Sequence, residues 1–216
     1  AVPLKISFAL VIAIILNQNI KGINLFRTLY YIPSILGGSV AISVLWKYLF
    51  MNQGVVNNLI GIFGIKAKDW LGDPRYALGT ISLVTVWQFG SSMLLFLAGL
   101  KQIPVSQYEA ARIDGAGRMR IFWQITIPEL SPIILFNLIM QMINAFQDFT
   151  SAFVITQGGP LKSTYLYGLM LYDQGFKFFK MGYSSALSWI LFAIILFFTS
   201  LTFRSSESWV HYGDSL

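Results

Sequence analysis

"SSALSWILFAIILFFTSLTF", Ser184 to Phe203, decides the fold class. It holds no charged residue, and at 1.5 Å rise per residue a helix of this length crosses about 30 Å of hydrocarbon. A chain with one such run is read for others. Four more stretches qualify: Pro3–Leu16, Ile32–Phe50, Tyr76–Leu100 and Pro132–Ile155. The first is short for a span unless the chain begins before Ala1. Composition agrees with the runs: of 216 residues 56% are hydrophobic and 11% charged. A soluble domain carries about 25% charged residues. The sequence therefore predicts an all-α polytopic membrane protein with about five transmembrane helices, forming one transmembrane domain over residues 1–216.

What the chain does not contain narrows its chemistry. There is no cysteine, which excludes disulfides, thiolate metal sites and a Cys nucleophile. The one histidine, His211, lies in the C-terminal tail, so neither a His-ligated metal site nor a His-based triad is available inside the membrane. The expected catalytic and metal residues are thus none. The net charge of +6 comes from scattered cations not interleaved with aromatics, which argues against nucleic acid as a partner.

Five spans place the termini on opposite sides. Residues 17–27, the polar segment around 101–132 and the C-terminal tail share one side; residues 51–75 and 157–183 share the other. Seven Lys and Arg fall on the first side and eight on the second, counting Lys5 and Lys47 near the span ends, so the positive-inside tendency is a tie. The densest cluster, Lys101, Arg112, Arg118 and Arg120, leans towards a cytoplasmic placement of the first side. On the other side, "NQGVVNNLIGIFGIKAKDWLGD" (Asn52–Asp73) suits a short interfacial helix anchored by Trp70. The segment from Gln157 to Tyr183 opens on a Gly-Gly-Pro turn and continues with aromatics at helical spacing.

The segment "IPVSQYEAARIDGAG" (Ile103–Gly117) has its own local grammar. Ser106 and Glu109 have the Ser-x-x-Glu spacing of a capping box, which predicts a helix starting near Gln107. Asp114-Gly115 stops it, with Gly115 in the left-handed conformation. "RMRIFWQITI" permits a second short helix, and Pro128 and Pro132 bend the chain into the next span. From the residues alone this is either an ordinary loop or a polar projection with small residues, Ala110, Ala111, Gly115 and Ala116, that let another surface approach.

The words "EAARIDGA" (Glu109–Ala116) and "FWQITIPELSP" (Phe122–Pro132) resemble the EAA loop of bacterial ATP-binding-cassette importer permeases. "FRTLYYIPSI", "ISVLWKYLF", "VWQFGSSMLLFLAGLKQIP", "ITQGGP" and "MGYSSALSW" are similar to the carbohydrate branch, the maltose permeases among them. The resemblance covers nearly the whole chain, and members carry a further span before this point. It implies a cytoplasmic coupling helix within a loop at 101–132, docked on a separate ATPase subunit through Glu109, Ala110, Ala111, Asp114, Gly115 and Ala116. It further implies a second permease (a heterodimer), two ATPase subunits that bind ATP and Mg, an extracytoplasmic solute-binding protein and a multi-pass site in the bacterial inner membrane, with the loop and C-terminus cytoplasmic. No cofactor and no enzyme activity would belong to this chain, which has no phosphate-loop motif. Arg118 and Arg120 lie in the variable part of the loop and inherit no role.

A cargo path must come from polar residues in the spans. Asn137, Gln141, Asn144 and Asp148 recur at i, i+4, i+7 and i+11, one face of a helix. Amides both donate and accept, which suits sugar hydroxyls, or equally suits packing between helices. Trp87 and Gln88 are further candidates, set against the habit of Trp to anchor at interfaces. Gly37-Gly38 reads as a kink or a close packing point. The resulting reading is an ATP-driven importer subunit for an oligosaccharide or related sugar, with room for an acidic one beside the outer lysines. The alternatives are the same mechanism with an amino acid, peptide or ion, or an ion-coupled secondary transporter, for which Asp148 is the one acid within a span.

Overall fold

The apolar run Ser184–Phe203 lies within a single α-helix of 26 residues, Met181–Ser206. The computed structural model describes residues 1–18 and 22–211, so part of the connector at 17–27 and the tail beyond His211 lie outside the described residues. In order, the helices are α1 (Val2–Leu16), α2 (Ile23–Leu36), α3 (Val40–Leu49), α4 (Val55–Ile62), α5 (Pro74–Trp87), α6 (Gly90–Gln102), α7 (Val105–Ile113), α8 (Arg118–Ile121), α9 (Ile127–Phe146), α10 (Tyr167–Tyr172) and α11 (Met181–Ser206). Three π-helical turns, Phe122–Thr126, Ala152–Thr156 and Asp173–Lys177, interrupt or extend them. No β-strand occurs among the described residues. The all-α class stands.

The five expected spans take three forms. Two are single helices: Met181–Ser206, of 26 residues, and Arg118–Phe146, of 29 residues. Two are bent pairs, α2 with α3 and α5 with α6. The fifth, α1, is a shorter apolar helix of 15 residues. The second span therefore starts at Ile23, nine residues before Ile32, and breaks at Gly38, whose φ of +78° is left-handed. Ser39 then caps α3, its hydroxyl accepting from the Ile42 N–H at 3.3 Å. The fourth span ends at Phe146, well before Ile155, because the chain leaves the helix at 147–149.

The chain forms two compact units. One comprises Val2–Ser34, Phe89–Met142 and Leu196–Leu216. Its core is a seam between α1 and α6: Ile6, Ala9, Ala13 and Leu16 recur at spacings of three and four and pack on Phe89, Met93, Phe96, Leu97 and Leu100. Ala9 and Ala13 are fully buried. In hydrocarbon no hydrophobic force drives helices together, so close approach over small residues supplies the contact.

The other unit comprises Ile35–Gln88 and Ile143–Ile195, with Ala1. Ile81 and Val84 of α5 pack there with Ala152, Ile155 and Leu169, under Ile42 and Trp46. Its connector at 51–75 is ordered around one side chain. The buried Asn57 donates to the carbonyls of Met51, Asn52 and Lys68 at 3.4, 3.0 and 2.9 Å. Its Oδ1 accepts from the Lys68 N–H and from Trp70 Nε1 at 3.1 and 2.9 Å. The expected short helix is α4, and Trp70 is tied to it through this amide. Many large apolar side chains of α2 and α11 are exposed, Leu25, Ile35, Trp189, Phe192 and Phe197 among them, as a surface that faces lipid or another apolar helix would be.

Candidate functional site

The polar projection is built on α7. Its C-terminus ends as the residues dictate. Gly115 adopts φ +75°, its N–H donates to the Arg112 carbonyl at 3.1 Å, and the Ala116 N–H donates to the Ala111 carbonyl at 2.9 Å. These are the two bonds of a Schellman motif, which satisfies the last carbonyls and turns the chain sharply away. The N-terminus corrects the sequence reading. Helix α7 starts at Val105, with the extended Pro104 before it and no side-chain cap, so Ser106 lies inside the first turn and the capping box with Glu109 does not form. Proline's fixed φ ends the preceding extended segment, and it does so two residues ahead of the expected start.

One side of α7 is fastened down. Gln107 Nε2 donates to Glu129 Oε1 at 3.0 Å, and the Tyr108 hydroxyl meets Thr126 Oγ1 at 3.2 Å. The other side is bare: Glu109, Ala110, Arg112, Asp114 and Gly115 are exposed, and Ile113 is 86% exposed. Ala111 and Ala116 are half-buried. Of the six residues singled out in this segment, four thus lie open to a partner and two support the turn. Beside α7 runs a cleft of about 810 Å³, lined among others by Arg27, Lys101 and Arg112 with Glu109. Three cations to one carboxylate make this flank electropositive.

The chain after α7 is one helix, not a short helix followed by a bend. Residues Arg118–Phe146 run on continuously through the π-helical turn at Phe122–Thr126, where the Ile127 N–H reaches back to the Phe122 carbonyl. Pro132 sits within it. A proline has no N–H for the carbonyl four residues earlier. That carbonyl, Pro128 O, is instead capped by the Ser131 hydroxyl at 2.5 Å. Ser131 Oγ in turn accepts from the His211 N–H at 2.8 Å, which holds the end of the described chain to the base of α9.

The expected polar stripe is split. Asn137 and Gln141 are buried within the α1–α6 unit, where the Asn137 amide donates to the Ile133 carbonyl at 3.1 Å and Gln141 Nε2 donates to Ser92 Oγ of α6 at 3.1 Å. Asn144 is exposed at the end of α9 and belongs to the other unit. Asp148 corrects the face assignment: it has left the helix, in the break at 147–149, and accepts from the Ser151 hydroxyl at 2.5 Å. A side chain off the helix axis does not follow its 3.6-residue period. Trp87 and Gln88 close α5 in the same unit as Asn144 and Asp148. Trp87 stands 5.8 Å from the Trp46 ring, and the Gln88 side chain lies against Gly37, where a Cβ would come within 2.6 Å of Gln88 Cδ.

Sequence reading missed the π-helical turns at Ala152–Thr156 and Asp173–Lys177. Phe149, Phe153, Tyr172 and Phe176 form a run of ring contacts with centroids 5.0, 5.0 and 5.4 Å apart. The one local signal is aromatics four apart in sequence, 149/153 and 172/176, which helical packing alone also explains.

The family described as "Binding-protein-dependent transport system inner membrane component" matches residues 5–207. The chain is 52% identical over 214 residues to the probable ABC transporter permease protein YesP of Bacillus subtilis (strain 168), covering 98% of this chain and 69% of that protein. It is 35% identical over 213 residues to the lactose transport system permease protein LacF of Rhizobium radiobacter, covering 95% and 71%. Among solved structures, that of a bacterial ABC transporter involved in the import of the acidic polysaccharide alginate superposes with a TM-score of 0.82 at 21% identity, over 96% of this chain and 72% of that one. At that identity the likeness concerns the fold.

Proposed function

Because the chain belongs to the inner-membrane components of binding-protein-dependent transport systems, an integral membrane permease family, we propose that it is the permease subunit of an ATP-driven sugar importer. It would receive an oligosaccharide or related sugar from a solute-binding protein and release it inward by alternating access. The likeness to a lactose permease supports a sugar as cargo. The observation that carries the importer reading is the bare face of α7, a rigid projection ended by Gly115 and fastened to the base of α9.

In this reading α7 is the coupling helix and lies on the cytoplasmic side with the C-terminus. A separate ATPase subunit grips Glu109, Ala110, Ile113 and Asp114, and two such subunits bind the ATP and Mg. This chain hydrolyses nothing. Motion of the ATPase pair passes through α7 to the single helix Arg118–Phe146 and so into the spans. A second permease subunit covers part of the exposed apolar surface of α2 and α11. The test is hydrolysis by the purified complex in nanodiscs: adding sugar-loaded binding protein is expected to raise the ATPase rate severalfold, and a rate indifferent to it overturns the proposal. A secondary transporter would show no such stimulation.

For the cargo path, Asn144→Leu is expected to change the uptake rate or sugar preference while the complex assembles with unaltered thermal stability. Gln141→Leu, which strips the bond to Ser92, is expected to cost about 1 kcal/mol of stability and to show it as a lower melting temperature of the solubilised complex. If both substitutions act only on stability, the stripe is packing.

A further inference from the structure

The two outer π-helical turns, Ala152–Thr156 and Asp173–Lys177, border one cavity of about 390 Å³, lined by Phe153, Gln157, Tyr172, Asp173, Phe176 and Lys177. We infer that this cavity is a binding site for one pyranose ring of an acidic saccharide, an inference that rests on the sugar-importer reading above. Its volume falls in the range of small-molecule sites, roughly 300–1,000 Å³.

Four observations converge on a ligand. Both walls are π-helical turns, which are rare and occur often at functional sites. Gln157, at the end of the first turn, holds φ +51°, a left-handed conformation uncommon for a residue other than glycine. Such strain persists where the surroundings hold it and clusters at ligand clamps. The aromatic wall is not spent on a core: Phe153 and Phe176 are exposed, while their rings remain aligned with Tyr172. The polar groups are of three complementary kinds in one small lining. Asp173 is held by the Tyr165 hydroxyl, which donates to its Oδ2 at 3.0 Å, leaving Oδ1 for a ligand hydroxyl. Burial, and then this bond to a carboxylate, push the Tyr165 hydroxyl above its ordinary pKa, so the phenol remains the donor.

The chemistry selects the ligand class. A pyranose presents flat C–H faces that pack on aromatic rings and a rim of hydroxyls that both donate and accept. Gln157 offers both functions and Asp173 accepts. Lys177, whose Nζ lies 5.9 Å from the Phe178 ring, brings a compact cation that neutral sugars do not need and a carboxylate does. A lipid tail does not fit, because it would bury Asp173 and Lys177 against hydrocarbon.

The test uses the complete reconstituted complex in nanodiscs, without binding protein, and saturation-transfer NMR with short oligogalacturonates and, separately, lactose. Transfer to the oligogalacturonates is expected, with lactose bound roughly tenfold more weakly for want of the charged contact. Phe176→Leu and Lys177→Gln are each expected to weaken oligogalacturonate binding roughly tenfold. Lys162→Gln, outside the cavity, leaves it unchanged. Absence of transfer to the wild-type complex overturns the inference. So does transfer unaltered by Phe176→Leu and Lys177→Gln. If those variants instead lose only their stimulation by the binding protein, the cavity seats a side chain of that protein and the saccharide site is wrong. In each of these cases binding-protein-stimulated hydrolysis by the wild type leaves the importer reading standing; its absence removes that reading separately.

Discussion

Gly115→Val is expected to leave the chain inserted in the membrane and to break its hold on the proposed ATPase subunit. Gly115 sits at φ +75° with open space around its missing Cβ, so nothing steric opposes a side chain there. The cost is in the backbone. A non-glycine residue in the left-handed region costs about 1–2 kcal/mol, and a β-branched one sits at the upper end. To escape it, the chain must abandon the bonds from Gly115 to Arg112 and from Ala116 to Ala111, and the end of α7 unwinds. Asp114 and Ile113 then lose their fixed direction. Each 1.4 kcal/mol is tenfold in association, so recovery of the ATPase subunit on a tagged permease is expected to fall by about tenfold, and uptake with it. Gly115→Asn, which tolerates the left-handed region, is expected to fall between wild type and valine. Full uptake by the valine variant would show that the turn carries no coupling.

The second large effect is expected at Asn57. Asn57→Leu keeps the volume of the side chain but orphans five partners at once: three carbonyls, the Lys68 N–H and Trp70 Nε1. Asn57 itself is 5% exposed, so its own amide is replaced by a side chain that pairs with none of them. A hydrogen bond lost this way costs about 1 kcal/mol where water can take over and about 1–3 kcal/mol where it cannot, and five are lost together. Limited proteolysis of the purified complex is expected to cut this connector at least tenfold faster in the variant. Basal hydrolysis is expected to persist, since the change is remote in sequence from α7, while stimulation by the binding protein declines. Asn57→Asp, which keeps the acceptor and loses the donor, is expected to be intermediate. Unchanged cleavage would mean that α4 is held by its apolar contacts alone.

What the residues announced depended on how local the cause was. The end of α7 was legible because a single glycine and its neighbours determine a left-handed turn. Its start was misread, since Ser106 and Glu109 have the right spacing while Pro104, two residues earlier, already fixes where the helix can begin. Length and apolarity found the stretches that form the two long helices and the two bent pairs, while the first stretch is a helix of 15 residues. They could not show the break at 147–149, where Gln147, Asp148 and Phe149 include neither glycine nor proline. At that break Asp148 bonds Ser151 three residues on, while from further along the chain Gly168 packs so closely that a side chain there would meet the Asp148 carbonyl. The division of the polar stripe follows from it, because periodicity arguments hold only while the helix does. The π-helical turns left no sequence mark that ordinary helix lacks.

The helix leading from the projection into the membrane is unbroken, but its first half is short of ordinary backbone bonds. Between Phe122 and Pro132 the ladder contains a five-residue loop, two positions with no N–H to give, and a serine hydroxyl standing in for one of them. In the coupling role proposed above, a helix so built would yield along its length before it tilts. A stroke delivered through α7 would first take up slack near Thr126, by migration of the wide turn one residue at a time, and only then move the far end. The latch from His211 to Ser131 clamps the rod just past that compliant stretch, so trimming the tail back beyond His211 would lengthen the slack and delay the stroke without severing the shaft.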